Sequence, residues 1–585
     1  MFQAEQNKIE ELVKEYIKNH ALPETELNWK GIPFSGQWGI STSFFQIAAI
    51  EARQGGKINV GKRAQEIAEG ITEFIGEQPG FQRIEALRGY LNLYYSSEEY
   101  TKRVVDEVLA LGVDFGRSDR LDKKIMVEFS QPNTHKAFHV GHLRNVILGS
   151  TVCNLLDYAG YDVVRTNYIG DIGLHVIKWL WNYLENYKGE LPGDDKVRWM
   201  GNIYSEADKA FTNSPEVEQA VRQLFLRWDR QEPDIVDLWK KTREWSLEGF
   251  DELYETLGVS FDKVYYESEV EDSGKEIVEE LLERKLAKDE RPEGAVIVDL
   301  DEIMGTEQKY RVLVILRSDG TSLYSTKDLS LAIKKNEEFD LEQSIYVIDV
   351  RQSLYMQQIF KTLELLGYEW AKKCYHLAYE IVNLPGNVTM KSREGTVVLL
   401  DDLMKEANQR ALEIVKQKNP ELSLEEQQTI AGMVAIGAIK YPMLSRDNSK
   451  VVTFDWETAL DFNGQASPYI QYAYVRANSI LKKVDKQIPG ELMPEYELTP
   501  QEITLINLIS KLPQEIKRAA EELKPHHISS LAYEMAKAFS DFYAHCHVLK
   551  EEPQKRDMRL RLVAAAQQAI GNALNVLGIG APDIM

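Results

Sequence analysis

The chain has 585 residues, a formal net charge of −23 and 44% hydrophobic residues. That length allows about four domains, and an acidic total argues against wholesale attraction to nucleic acid while leaving room for local basic tracks. No uncharged apolar run is long enough to span a bilayer, the opening MFQAEQNKIEELVKEYIKNH lacks a signal peptide's apolar centre, and the scattered Cys153, Cys374 and Cys546 form neither a disulfide framework nor a zinc ribbon, so a cytoplasmic protein is expected.

Residues 1 to about 115 read as a separate α/β domain. Helical spacing fills its first half, as in GKRAQEIAEGITEFI. GFQRIEALRGYLNLYYS then reads as strand material, and SSEEYTKRVVDEVLALG as a helix with a polar start. From 116 to about 385, strands and helices alternate in the manner of a doubly wound parallel sheet. Its first unit is the buried strand KIMVEFS, the turn SQPNTHKAFHVGHLRN and a helix over VILGSTVCNLLDYAGY. His139 and His142 face the same way on that helix's first turn. Gly141 lets a ring or phosphate approach the backbone, the free N–H groups of the turn favour anions, and Lys136 adds a positive charge. Together these suit nucleotide phosphates. Taken alone, H-x-G-H falls by chance in many chains. Metal ligation is the other reading, but no cysteine or third histidine stands nearby.

DVVRTNY follows as a second strand, with Gly170-Asp171-Ile172-Gly173 where loops line a ligand crevice. Asp171 suits a helix cap equally. Residues from about 185 to 295 interrupt the alternation with a helical, Trp-rich stretch whose aromatics are expected to pack as core. GAVIVDL and KYRVLVILRS are expected to pair as strands, and Asp319-Gly320 to turn. TSLYSTKDLSLAIKKNEEF starts a helix on which Tyr324 and Asp328 share a face; Asp328 alone would be a solvated helix residue. QSIYVIDV is a buried strand leading to Arg351-Gln352. NLPGNVTMKSREGTVVLLDDLMKEA holds a basic loop between Gly386 and Gly395, then a helix from Asp401-Asp402. Beyond 400 helices dominate: IAGMVAIGAIKYPML has small residues for close packing, and ALDFNGQASPYIQYAYVRANSILKK alternates aromatics such as Tyr472 with polar groups, with Arg476, Lys482 and Lys483 on a basic side.

VEFSQPNTHKAFHVGHLRN resembles the nucleotide-binding signature of class I aminoacyl-tRNA synthetases. Its Glu-Phe-Ser, Pro-Asn and His-Leu-Arg-Asn are similar to those of the arginyl-tRNA synthetase family. The resemblance covers nearly the whole chain and is weakest over 185–295. It implies a multidomain protein: an α/β N-terminal domain (1–115), a Rossmann-like catalytic domain (116–385) with a helical insertion (185–295), a signature-loop and stem-contact region (386–455), and an all-α anticodon-binding domain (456–585). By the same resemblance Tyr90 and Asn92 touch the D-loop of tRNA; the alternative is an edge strand with ordinary polar exposure. Tyr472 and Arg476 are the kind of side chain that stacks on splayed bases, with helix-bundle packing as the alternative.

The implied activity joins arginine and ATP into arginyl adenylate, then moves arginine to the terminal ribose of its tRNA, the first step needing bound tRNA. The expected partners are arginine, ATP with Mg2+, and arginine tRNA, with no permanently bound cofactor, no membrane and a monomeric state. A guanidinium is planar, always charged and offers five donors. Glu128 and Asp328 are expected to supply carboxylates for it, Tyr324 a flanking hydroxyl, and Asn133 and Gln352 contacts to the amino-acid head group. His139, His142 and Lys136 are the expected catalytic residues, and Gly141, Met390, Lys391 and Arg393 complete the ATP site. The chain departs from the family pattern at Ile172 in place of Trp, at Tyr355 in place of His, and at Thr389 and Lys391, which stand where the second signature has its first lysine and the following serine. Two rivals are a non-catalytic paralogue carrying tRNA, expected to lose the histidine pair or pocket carboxylates, and another nucleotidyl-transferring enzyme, for which the helical C-terminal third has no use.

Overall fold

The computed structural model describes residues 2–55, 58–138, 140–384, 388–389, 400–484 and 488–585. One compact unit gathers Met1–Phe115, Ala473–Leu512 and Leu531–Asn572. Its elements begin with α1 (Gln3–Asn19), β1 (Lys30–Gly31), β2 (Gly39–Ser43), α2 (Phe45–Gly55), α3 (Val60–Ile75), β3 (Phe81–Leu87), β4 (Tyr90–Tyr95) and α4 (Ser97–Leu111). Arg88 and Gly89 both have positive φ and join β3 to β4 as a two-residue hairpin. The antiparallel sheet runs β1-β2-β4-β3. Ala64, Ile67, Ala68, Ile71 and Ile75 recur at helical spacing on α3 and bury one face with Leu91 and Leu93 of β4. β4 therefore lies between two partners, and the edge-strand alternative for Tyr90 and Asn92 is excluded. C-terminal side chains complete this unit: Asn507 accepts from the Trp38 indole at 3.1 Å, and Asn572 donates to the Gly112 and Phe115 carbonyls at 2.9 Å each.

The second unit holds Gly116–Tyr472, Pro513–Ser530 and Ala573–Met585. It starts with β5 (Lys124–Glu128), α5 (Val140–Tyr158), β6 (Asp162–Ile169), α6 (Leu174–Asn186), α7 (Lys196–Asn213), α8 (Pro215–Asp229), α9 (Pro233–Leu257) and β7 (Lys263–Tyr266). The chain continues through α10 (Glu271–Glu283), β8 (Lys288–Asp289), β9 (Val296–Asp299), α11 (Leu300–Met304), β10 (Val312–Leu316), α12 (Tyr324–Glu338), β11 (Gln343–Asp349), α13 (Ser353–Leu365) and β12 (Cys374–Tyr379). A parallel sheet of order β12-β11-β5-β6-β7 carries the unit. β7 rejoins this sheet inside the stretch read as a helical interruption. The aromatics of α6 to α9 form their own core, with Trp179, Tyr183 and Trp239 buried, as the helical spacing predicts. β9 pairs antiparallel with β10, as expected.

After the sheet come β13 (Val382–Leu384), β14 (Val388–Thr389), α14 (Leu400–Lys418), α15 (Leu424–Leu444), β15 (Val452–Thr453) and α16 (Trp456–Ala459). The closing helices are α17 (Ser467–Lys482), α18 (Pro500–Glu522), α19 (His526–His545) and α20 (Pro553–Val576). In the second unit β13 runs parallel to β15.

Candidate active site

β5 ends at Glu128, and the turn after it is bent sharply: Ser130, Gln131 and His135 all have positive φ, which non-glycine residues seldom adopt. Hydrogen bonds over-determine that shape. The Ser130 N–H donates to Asn145 Oδ1 at 2.6 Å, and Asn145 in turn donates to the Val347 carbonyl at 2.8 Å. The Gln131 N–H donates to Asn167 Oδ1 at 3.1 Å, and Ser130 Oγ lies 2.6 Å from the Tyr254 hydroxyl. His135 is fully buried between Thr134 and Thr242, and desolvation pushes its pKa down to about 3, so it is a neutral structural ring.

The first turn of α5 then presents Gly141 and His142; the His142 ring lies 4.8 Å from that of Phe138. His139, Met390, Lys391 and Arg393 lie outside the described residues. The Lys136 ammonium sits 5.1 Å from the centre of the Tyr204 ring on α7, and burial lowers its pKa.

Beside this turn, polar groups from β5, the loops after β6 and β7, and α12 and α13 converge. Glu128 is buried and ion-paired to Lys335 of α12, while its other oxygen accepts from Gln131 at 2.9 Å. Lys335 stands seven residues after Asp328, two helical turns along the same face, and its ammonium lies 4.8 Å from the Tyr346 ring. Asp328 accepts a hydrogen bond from the Tyr355 hydroxyl. Loss of hydration pushes the Asp328 carboxyl up to about 7; the Tyr355 hydrogen bond opposes this, Glu128 and Glu267 add to it, and Lys335 opposes it. The Tyr324 and Tyr355 rings meet edge to face at 4.9 Å, with Tyr324 62% exposed.

Asp171 does not cap a helix. It is fully buried, accepts from the Ser268 N–H at 2.9 Å and the Ser268 hydroxyl at 2.7 Å, and pairs with Arg243 at 3.3 Å. It thus ties the loop after β6 to the turn after β7. From that turn Glu267 pairs with Lys327 at 2.8 Å, next to Asp328. Asn133 joins the same group, for a Cβ on Gly170 would stand 2.4 Å from Asn133 Oδ1 and 3.4 Å from Glu267 Oε2. Gln352 is exposed on the turn Val350–Gln352, at the carboxyl end of β11 beside β5.

The sequence therefore locates most of this cluster but misses Lys335, Asn145 and Tyr254. Lys335 has a legible signal, its seven-residue spacing from Asp328; Tyr254 has none, because only the fold brings α9 to Ser130. Tyr355, a departure from the family pattern, supplies a hydroxyl to the pocket carboxylate. Elsewhere, Tyr90 is 44% exposed and Asn92 is 9% exposed. The Lys418 ammonium lies 5.6 Å from the Tyr472 ring, and the Arg476 guanidinium 4.8 Å from that of Tyr543.

Comparison with known proteins gives two family matches: "tRNA synthetases class I (R), catalytic domain" over residues 104–456 and "DALR anticodon binding domain" over 470–585. The chain is 34% identical over 526 residues to a Clostridium acetobutylicum protein named arginine--tRNA ligase, covering 90% of this chain and 91% of that one. It is 34% identical over 586 residues to a Clostridium perfringens protein of the same name, covering 98% and 99%. Among solved structures, Thermus thermophilus arginyl-tRNA synthetase superposes with a TM-score of 0.78 at 27% identity, covering 99% of this chain and all of that one (100%).

Proposed function

The chain belongs to the class I arginyl-tRNA synthetase family, and from that premise we propose that it charges arginine tRNA through the cluster of Glu128, Asn133, Tyr324, Asp328 and Tyr355. The observation that carries this reading is the half-buried Asp328 carboxylate on α12, next to the first-signature turn and met by a tyrosine hydroxyl. A guanidinium brings a fixed charge and paired donors to that carboxylate. Gln352, with Asn133, suits the amino-acid head group.

In the first step a carboxylate oxygen of arginine attacks the α-phosphorus of ATP and the bond to pyrophosphate breaks. In the second a ribose hydroxyl of the tRNA end attacks the adenylate carbonyl and AMP leaves. No covalent bond to the protein is needed, so catalysis comes from alignment and from stabilising phosphate charge. His139, His142 and Lys136 take that charge, with Gly141 allowing close approach and Met390, Lys391 and Arg393 supplying the second stretch. Magnesium arrives with ATP, held by phosphate oxygens and water. Tyr90, Asn92, Tyr472 and Arg476 serve the tRNA, and the protein acts as a cytoplasmic monomer.

Pyrophosphate exchange over all twenty amino acids, with and without tRNA, tests the reading. Exchange with arginine alone among the amino acids is expected. Exchange with a different amino acid, or none in any mixture, would overturn it.

A further inference from the structure

Arg144, in the second turn of α5, is 1% exposed. Among the described residues no carboxylate forms an ion pair with it. Its guanidinium donates instead to four backbone carbonyls: Nη1 to those of Glu380 and of Ile381 (3.3 Å), Nη2 to those of Asn448 (3.4 Å) and Lys450 (3.0 Å). Among the described residues its buried Nε–H has no hydrogen-bond partner, and burial lowers its pKa to about 10. A buried cation whose hydrogen bonds all go to carbonyls, with the Tyr379 ring 6.0 Å from its centre, is a costly device for holding two segments together.

Those carbonyls mark a junction. Residues 380–381 follow β12, where the chain leaves the parallel sheet, and 448–450 follow α15, where it returns. The two segments pair directly: the Glu380 N–H donates to the Asn448 carbonyl at 3.0 Å, the Val452 N–H to Ile381 at 3.2 Å and the Phe454 N–H to Asn383 at 2.8 Å. Beyond Leu384 the sequence enters the second-signature stretch. That stretch ends at Leu400, whose N–H donates to the Phe138 carbonyl at 3.3 Å, one residue before His139. Both ends of the stretch are thus tied to the first signature, one through Arg144 and the other through Phe138.

We propose that Arg144 is a positioning residue for adenylate formation, fixing the distance between the His142 turn and the strand pair β13–β15 from which the second-signature stretch departs. The proposal rests on the reading of both stretches as the ATP site. It requires the forked guanidinium, because an ammonium has three donors and cannot replace bonds to four carbonyls in a fixed plane.

The full-length chain with Arg144→Lys tests it. The expected result is a melting temperature close to the parent's, an arginine KM unchanged, and single-turnover adenylate formation slower by about 100-fold, as for reacting groups misplaced by about 1 Å. Hydrogen exchange should quicken at residues 382–384 and 452–454 and stay unchanged in the middle of α5. Parent-like turnover, or a turnover loss that follows the melting temperature with exchange unchanged, would overturn the proposal. Should the lysine variant fail to fold, Arg144→Gln, which keeps a planar donor, is measured in the same way. A parent chain that forms no arginyl adenylate with tRNA present would count against the family chemistry, while the exchange measurement still decides the tether.

Discussion

Asp328 carries the pocket's charge under conditions that make that charge expensive. Its pKa is raised from the ordinary carboxylate value to about 7, first by loss of hydration and then by Glu128 and Glu267, against the Tyr355 hydrogen bond and Lys335. An acid raised on folding costs nothing below its unfolded pKa of 3.8. Its ionisation then opposes folding increasingly until the pH passes the folded value. Asp328→Asn is therefore expected to raise the melting temperature at pH 8 more than at pH 5, and an equal change at both would contradict the burial argument. The same variant should lose most arginine activation with little change in ATP binding, since removing one partner of a desolvated charge pair costs on the order of 2–5 kcal/mol. In the parent, the arginine KM should rise as pH falls below 7, because a neutral carboxyl no longer pairs with guanidinium. Lys136 makes a second residue-level case. With Thr389 in place of the second signature's first lysine, the leaving pyrophosphate still needs a cation, and Lys136 stands three residues before His139. Lys136→Ala should lower adenylate turnover by roughly 100-fold, as expected for loss of one preorganised donor, with the ATP KM nearly unchanged. A near-normal Lys136 variant beside an inactive Lys391 variant would move the compensating charge to the other loop.

Helices hold these side chains in register through contacts that local sequence reveals unevenly. Thr499 and Glu502 close the start of α18: the Thr499 N–H donates to Glu502 Oε2 at 2.8 Å, and the Glu502 N–H to Thr499 Oγ1 at 3.3 Å, the reciprocal capping pattern. The spacing T-P-Q-E announces such a cap. It does not announce that Glu502, fully buried, also accepts from Arg559 of α20 at 2.8 Å and from the Tyr496 hydroxyl at 2.9 Å. Glu502→Gln would leave the buried Arg559 guanidinium with only the less buried Glu551, at 3.0 Å, as counter-charge, so a loss of about 3 kcal/mol is expected in denaturant unfolding; a loss no larger than that of an ordinary cap, about 1 kcal/mol, would mean Glu551 compensates. The same unevenness runs through the active site. Glu128, Asn133, Tyr324 and Asp328 are legible through their match to the family's motifs, since periodicity alone makes Asp328 a solvated helix residue. The Lys335 pairing and the Tyr254 anchor depend on which helices the sheet brings side by side, and no local pattern encodes that. β7 escaped for a related reason, since its four residues in a helical stretch are too few to show a strand period.

At the scale of the whole molecule, the chain's own division bears on how tRNA enters the reaction. The N-terminal sheet belongs to one compact unit with much of the C-terminal helical region, and the parallel sheet and candidate active site belong to the other. Deleting the N-terminal residues would strip partners from Asn507, Arg561 and Asn572, which engage Trp38, Asp106 and Gly112, so a point change reads the tRNA contact more cleanly. Tyr90, exposed at the hairpin, is the side chain to change. Tyr90→Ala is expected to raise the tRNA KM and leave the ATP KM alone, and an unchanged tRNA KM would return Tyr90 to ordinary surface. The first unit holds none of the arginine or ATP candidates, yet it makes up about 200 residues of the chain, an extent with no use for two small substrates. Family resemblance adds that arginyl enzymes activate their amino acid only with tRNA bound. If tRNA binding to the helical region and the N-terminal sheet supplies part of the energy that aligns arginine and ATP, the first step is silent without it. Pyrophosphate exchange with arginine and ATP alone is therefore expected to stay at background and to rise when arginine tRNA is added. Brisk exchange before any tRNA is present would show that the parallel-sheet unit aligns its substrates unaided, and that the helical region serves recognition only.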